Sequence, residues 1–225
     1  MKRRAWMSWS SGKDSAYALA LALRQPDLEI VALLTTVTET FGRVSMHGVR
    51  EELLLAQAAA TGLPLVQVRI PGPCSNADYE ERMSAALAGA LAGGVDTMVF
   101  GDLYLSDIRA YREDKLAKVG MRAEFPLWKR DTRALAQEMI EAGVRAVLTC
   151  VDPKQVPREL AGREFDASLL ADLPAGADPC GENGEFHTFV YAGAALRAPL
   201  AVRQGEVVER DGFVFADLLP ATREP

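Results

Sequence analysis

Near the N-terminus, six consecutive residues bring together hydroxyls, a glycine and an ammonium group: Ser10-Ser11-Gly12-Lys13-Asp14-Ser15. The segment follows a short apolar run, Ala5–Trp9, and leads into a helical pattern, Asp14–Arg24, closed by Pro26. A loop of this kind suits an anion, because the first backbone N–H groups of a helix lack partners and the helix dipole adds partial positive charge. Gly12 permits a close backbone approach or a positive φ. Ser10, Ser11 and Ser15 add hydroxyl donors, and Lys13 adds a full charge. The plainer reading is a serine N-cap on an ordinary helix. The segment is not a Walker A loop, which would need Gly at position 7 and Ser or Thr at position 14; the chain has Met7 and Asp14. A kinase or GTPase loses its main support.

Other groups capable of chemistry are scattered. His47 precedes a helical pattern, and Gly101-Asp102 closes a short strand pattern at the carboxyl edge, where α/β sheets bind ligands. Glu113 lies in a charged run, Arg109–Lys118. Glu182, Asn183, Gly184, Glu185 and His187 cluster in a glycine-rich turn ahead of a strand. Each has a plainer account: a capping or packed histidine, a turn, a solvated helix face, a solvated loop. The three cysteines, Cys74, Cys150 and Cys180, are odd in number and widely spaced, which predicts free thiols in a reducing compartment.

The elements that must position these groups alternate. Glu29–Thr36 reads as a buried strand. Val49–Thr61 reads as a helix with Val49, Leu53, Ala56 and Ala60 on its inner face, ended by Gly62 and Pro64. Leu65–Ile70 is a strand, and Ala77–Ala92 a helix with Tyr79, Met83, Leu87 and Leu91 four apart. Thr97–Phe100 is a strand, Thr132–Ala142 a helix with Leu135 and Met139 inward, and Ala146–Val151 a further strand. Strand–helix alternation with short links predicts an α/β fold with a parallel sheet covered on both faces. After Asp152 the pattern changes to proline-punctuated loops and three antiparallel strands, Glu185–Tyr191, Leu200–Val208 and Phe213–Leu218. The expected division is a nucleotide-binding domain over residues 1–125 and a smaller α+β domain over 126–225.

The 225 residues are 49% hydrophobic and 25% charged, an ordinary globular mixture, with a net charge of −6 that argues against broad nucleic-acid or anionic-membrane binding. The basic start, MKRR, is not followed by the apolar stretch of a signal peptide, and no segment approaches a membrane span; a soluble, cytoplasmic protein is expected. Apolar residues near Phe213–Leu219 suggest an exposed surface for a homodimer.

The SSGKDS segment resembles the SGGKDS loop of the N-type ATP pyrophosphatases, with Ser11 in place of a usual glycine. If Ser11 adopts a positive φ, a strain on the order of 1 kcal/mol follows. Further stretches resemble the diphthine–ammonia ligase family and its bacterial relatives: Ser45-Met46-His47-Gly48, Phe100-Gly101-Asp102, Arg109 to Glu113, Pro126-Leu127-Trp128, and Asp178 to Thr188. The last stretch reads GENGEFHT where the archaeal and eukaryotic ligases usually read GEGGE(F/Y)ET, so Asn183 and His187 point to the bacterial branch.

The resemblance implies a HUP/Rossmann-like ATP pyrophosphatase domain that uses ATP and Mg2+. Ser10–Ser15 would hold the β and γ phosphates, with Lys13 catalytic; Leu34 and Thr35 would meet adenine, and His47, Gly101 and Asp102 would join the nucleotide site. Asp14 or Asp102 would lie near the metal. Glu113, Glu182, Asn183 and Gly184 would bind substrate, and Glu185 and His187 would handle ammonia or an amine attacking an adenylated carboxylate. Rivals are an ATP-binding sensor without turnover, and a sulfur-transfer or tRNA-modifying relative using Cys150 and Cys180.

Overall fold

Parallel β-strands buried on both faces need apolar side chains in both directions, and β1 (Arg3–Ser8) and β2 (Leu28–Thr38) have them. The computed structural model describes residues 2–45, 47–193 and 195–221; Met46 of the Ser45–Gly48 motif lies outside them. Between β1 and β2 runs α1 (Lys13–Ala22). There follow β3 (Arg43–Val44), α2 (Glu51–Thr61), β4 (Leu65–Ile70), α3 (Asn76–Ala92), β5 (Thr97–Val99), α4 (Ser106–Lys118) and β6 (Arg122–Glu124).

In this first sheet β1 lies between β2 and β5, β4 pairs with β2 and β6 with β5, all parallel. Only β3 is antiparallel, against Val37 and Thr38 of β2. The period of two sorts neighbours onto opposite faces. Met7, Leu33 and Val99 join a core with α1 and α2, whereas Leu34, Met98 and Phe100 join a second core with Leu87 and Ala90 of α3 and Leu116 of α4.

The chain continues through α5 (Thr132–Glu141), β7 (Arg145–Val151), α6 (Ala167–Asp172), β8 (Phe186–Ala192), β9 (Val202–Arg210) and β10 (Phe213–Pro220). A separate sheet has the order β8-β7-β10-β9 with every pair antiparallel. The fold is thus a Rossmann-like α/β unit with a smaller C-terminal α+β part.

Three expectations are corrected. The Ala146–Val151 strand does not extend the parallel sheet; as β7 it is central in the antiparallel one, buried at every position but its first, which is why it reads as a continuous apolar run. The inner face of α2 is Leu53, Leu54, Gln57, Ala58 and Thr61, and Ala56 is exposed, because a buried glutamine breaks the apolar pattern used to orient the helix. Phe213–Leu219 offers no free apolar surface: Val214, Ala216 and Leu218 are buried and the residues between them half-buried.

Candidate active site

The β1–α1 loop lies at the carboxyl end of the central strand, the crevice where open α/β sheets hold ligands. Ser11 takes φ 72°, the left-handed region usually left to glycine. Its side chain is fully buried, and its hydroxyl oxygen has no partner. Gly12 is extended, at φ −86°. It is needed for closeness: a Cβ there would stand 3.3 Å from both a ring carbon of His47 and the Thr188 carbonyl oxygen. Gly101 has the same role one strand away, since a Cβ would come within 2.8 Å of the Asp14–Ser15 backbone.

The loop is strapped to the second sheet. The Val190 N–H donates to the Ser11 carbonyl (3.0 Å), and the Lys13 N–H donates to Thr188 Oγ1 (3.1 Å). Gln57, fully buried on α2, donates from Nε2 to the carbonyls of Ser11 (3.0 Å) and Val190 (2.7 Å) and accepts from Trp9 Nε1 (2.8 Å). Ser10 Oγ donates to Ser15 Oγ at 3.1 Å, closing the loop on itself.

Lys13 leaves this loop and ends beneath the other one. Its ammonium is buried, binds Asp14 at 2.9 Å and the Cys180 carbonyl, and sits 5.3 and 5.4 Å from the ring centres of Phe165 and Phe186. Burial works against its charge, but Asp14, Cys180 and Glu182 outweigh burial and hold it protonated. Removing it would leave the half-buried Asp14 carboxylate and the Cys180 carbonyl without this partner, so the side chain supports the structure as well as bordering the cavity.

In the loop from Asp178 to Thr188 the two glutamates face different ways. Glu185 is 1% exposed and accepts from the Asp178 N–H (2.8 Å), the Asn183 N–H (2.9 Å) and Asn183 Nδ2 (3.0 Å). It is turned into its own loop and borders neither cavity described below, so a role for it in handling an amine directly is not what the geometry offers. Glu182 does border a cavity, and its Oε1 accepts from the Leu103 N–H at 2.7 Å. Burial pushes its carboxyl up to about 7, with the negative charge of Asp14 adding to the effect against the Leu103 and Tyr104 N–H groups. Gly184 borders the same cavity, and Asn183 is exposed, its amide spent on Glu185.

Two cavities meet at the loop. The larger, 730 Å³, includes Leu34 and Thr35 of β2, Tyr79, Met83 and Leu87 of α3, and Ile108 and Tyr111 of α4. The smaller, 260 Å³, is polar and includes Lys13, Asp14, Ser15, Gly101, Asp102 and Glu182. Ser8, Ser10, Phe100, Leu105, Arg112, His47 and His187 border both. The chain's two histidines therefore stand at the junction, ring centres 4.5 Å apart. Burial, then the Lys13 charge, pushes His187 down to about 4. Burial and the neighbouring His187 hold His47 well below the usual histidine range. Both imidazoles are neutral at pH 7, and His47 Nδ1 is buried without a partner. His47 borders both cavities and a bound polar ligand could complete its Nδ1; Ser11, whose hydroxyl is also orphaned, borders neither of them, so its expected contact with a ligand is not what the geometry offers.

Glu113 is not at this site; it is exposed and paired with Arg109 at 2.7 Å, while Arg109 lies over the rings of Phe125 and Trp128. The residue that α4 does bring in is Arg112, 3.1 Å from Asp102 and 4.4 Å over the Phe100 ring. It lay inside the Arg109–Glu113 stretch singled out by resemblance, and only the helix phase shows which member turns inward. Among the described residues no group of three or more His, Cys, Asp or Glu side chains is arranged to hold a metal ion. Asp14 pairs with Lys13 and Asp102 with Arg112, so they do not form a resident metal cage. Magnesium carried on a nucleotide's phosphates needs only one or two carboxylates, and these two border the smaller cavity. Cys150 and Cys180 are buried thiols; burial pushes Cys150 up to about 12 and Cys180 in the same direction, the opposite of what a thiolate nucleophile requires. No helix among the described residues is long and apolar enough to cross a membrane.

Comparison with known proteins agrees with this layout. Residues 2–123 match the family model of the Diphthamide synthase N-terminal domain, and residues 131–216 that of the Diphthamide synthase C-terminal domain. Similar curated proteins are the diphthine–ammonia ligases of Schizosaccharomyces pombe (25% identical, over 89% of this chain and 36% of that protein), Danio rerio (28%, over 71% and 68%) and Mus musculus (25%, over 92% and 85%). The match thus spans about a third of the fission-yeast protein and most of the mouse one.

Proposed function

The chain belongs to the diphthamide synthase family, and on that premise we propose that it is an ATP-dependent amide-forming ligase of the diphthine–ammonia ligase type. A substrate carboxylate attacks the α-phosphorus of ATP, the α–β phosphoanhydride bond breaks, and pyrophosphate leaves. Ammonia or an amine then attacks the acyl carbon of the adenylate, loses a proton, and AMP departs. The observation that carries this reading is the β1–α1 loop: a helix N-terminus whose Ser10, Lys13, Asp14 and Ser15 border a polar cavity that opens into a larger apolar one, with Gly12 behind them pressed against His47 and Thr188. The polar cavity suits phosphates and the apolar one adenosine.

In this reading the first-turn amides of α1, with Ser10 and Ser15, meet the charge that builds on the leaving pyrophosphate. Leu34 and Thr35 meet adenine. Lys13 acts from behind, fixing Asp14 and the Cys180 carbonyl while contributing its charge. Arg112 and the neutral imidazoles of His47 and His187 face the α-phosphate region at the junction. Glu182, whose carboxyl titrates near neutral pH, is placed to take the proton of the incoming amine; Glu185 holds the loop that presents it. Magnesium bound to the nucleotide would neutralise phosphate charge beside Asp14 and Asp102. Residues 1–125 supply the nucleotide site and residues 126–225 the lid and acceptor side. Asn183 and His187 support a reading of the chain as one of the bacterial branch, and its free thiols support a cytoplasmic setting.

The test is incubation with Mg2+, α-labelled ATP and ammonium, with and without a metabolite extract, separating AMP from ADP. Extract-dependent AMP is expected. ADP alone would overturn the adenylation mechanism, and tight ATP binding without any product would favour a sensor.

A further inference from the structure

The large cavity has two different walls. One is the sheet edge, where Leu34 and Thr35 would meet adenine. The other is a slot between α3 and α4. Tyr79, Met83 and Leu87 recur every four residues on α3 and border it. On α4, Ile108 and Arg112 stand one turn apart on one face, with Tyr111 beside them. At 730 Å³ the cavity lies in the upper part of the range of small-molecule sites, about 300–1,000 Å³, while the phosphates have the 260 Å³ cavity to themselves. A nucleoside at the sheet edge therefore leaves the slot over.

The slot is apolar along its length and basic at its inner end. Tyr79 and Met83 are half-buried, and Ile108 and Tyr111 are 42% and 46% exposed. Large side chains left open in the wall of one cavity are surface that the apolar part of a ligand would cover. The charges along the slot are already paired. Lys115 binds Glu80 at 2.6 Å across the rim and lies over the Tyr111 ring, and Lys118 binds Asp114 at 2.6 Å. Burial pushes the Tyr79 phenol up, so it stays neutral at pH 7. At the inner end Arg112 uses only Nε on Asp102 (3.1 Å) and lies over the Phe100 ring. Its Nη1 and Nη2 make no hydrogen bond among the described residues. Arg112 stands where the two cavities join, as do His47 and His187.

We propose that this slot holds the acceptor, and that the acceptor is a small monocarboxylic acid with an uncharged apolar body, which lies between Met83 and Ile108 while its carboxylate meets the Nη1–Nη2 edge of Arg112. Two parallel N–H donors of an arginine match a carboxylate. A carboxylate at Arg112 is at the mouth of the phosphate cavity, in the same open space as the α-phosphate, as attack on phosphorus requires. The lining favours an anion, since Arg112, Lys115 and Lys118 outnumber Glu80, and an acid carrying an ammonium group would meet like charge. A second carboxylate would find no unpaired cation along the slot. The role of this acid as acceptor rests on the ligase reading; its binding in the slot does not.

The experiment titrates the full chain, 15N-labelled, with and without Mg2+ and α,β-methylene ATP, which is not cleaved at that bond. The ligands are straight-chain and phenylalkyl monocarboxylic acids, the corresponding primary alcohols, dicarboxylic acids and amino acids, each singly at millimolar concentration. The same acids are then given with ATP and ammonium, and AMP is measured. Shifts of the Met83, Ile108, Tyr111 and Arg112 amides by the monoacids are expected, with affinity about tenfold or more weaker for the alcohols and in Ile108→Asp and Arg112→Lys. Ile108 is exposed, so its replacement leaves the core intact, and Arg112→Lys keeps a charge beside Asp102 while removing the fork. No shift with any monoacid, shifts elsewhere only, alcohols or amino acids or diacids binding as tightly as the monoacids, or affinity unchanged in both variants would each overturn the proposal. Extract-dependent AMP with no acid in the slot would overturn it and leave the ligase reading standing. Binding in the slot with no AMP from any bound acid would uphold the site and count against the ligase reading instead.

Discussion

The loops Ser10–Ser15 and Asp178–Thr188 build the site from opposite physical starting points. The first is a regular strand-to-helix junction, whose Ser10 and Ser15 hydroxyls bond each other and whose Ser11 hydroxyl is left without a partner. The second is an irregular loop that consumes most of its own polar groups internally, through Glu185 and Asp178. Each then supplies what the other lacks: Lys13 runs from the first to the Cys180 carbonyl, and Thr188 from the second to the Lys13 amide. The contrast shows that the shape of the Ser10–Ser15 loop is only half encoded in its six residues.

Lys13→Ala breaks that exchange most severely. Stability falls by about 1–3 kcal/mol, read by urea unfolding, because the half-buried Asp14 carboxylate and the Cys180 carbonyl lose their cation. AMP formation falls by about 100- to 1,000-fold under conditions where the chain is still folded. Near-wild-type turnover would remove Lys13 from the mechanism, and unchanged stability would contradict its bridging role.

The two glutamates sharpen the same comparison. Glu185→Gln weakens three N–H contacts to a carboxylate and costs about 1.5–3 kcal/mol. Glu182→Gln goes the other way above pH 7. Its folded carboxyl titrates at about 7 against an ordinary 4.5, so the folded chain binds the proton more tightly and loses stability as pH rises between those values. The amide removes that loss, and thermal melts at pH 8 should order the proteins Glu182→Gln, wild type, Glu185→Gln from high to low. A reversed order would mean that the loop faces the other way in solution.

His187 carries the opposite sign. Its folded value of about 4 lies below the ordinary 6.5, so between them the unfolded chain binds the extra proton, and this contribution to stability is complete above pH 6.5 and lost on acidification toward pH 4. An NMR titration should find the His187 ring still neutral at pH 5.5, facing only His47 and the Lys13 charge; a midpoint near 6.5 would show an open, hydrated junction. The smallest effect is Ser11→Gly, which relieves a residue at φ 72° and should raise the melting temperature by the equivalent of about 1 kcal/mol. A fall instead would show that the buried hydroxyl has a partner in the free protein.

The alternation of β1, β2, β4 and β5 with their helices, and the later antiparallel strands, were legible because hydrophobic period and turn residues are local signals. So was the place of the Ser10–Ser15 loop between the first strand and the first helix. The direction of a side chain was not. Glu182 and Glu185 are equivalent as text, and only the fold shows that one opens to the cavity while the other ties its loop. Glu113 was expected at the site and Arg112 arrives there, a difference of one helical position. Gln57 was invisible for another reason: a polar residue on a predicted helix is read as solvated, and its three buried partners come from Trp9, Ser11 and Val190. The approach of the His47 ring to His187 joins distant parts of the chain, beyond any local pattern.

Gln57 also bears on how this protein can be taken apart. Its amide joins three segments, Trp9, Ser11 and Val190, and the Ser11 carbonyl takes a second bond from the Val190 N–H. A chimera that exchanges the C-terminal part for a relative's must keep the backbone course of Val190 to within the length of a hydrogen bond, or the graft takes one acceptor from the buried Gln57 amide and one donor from the Ser11 carbonyl together. The workable unit of exchange is the whole chain, and recombination at the apparent seam between the sheets is where hybrids should fail.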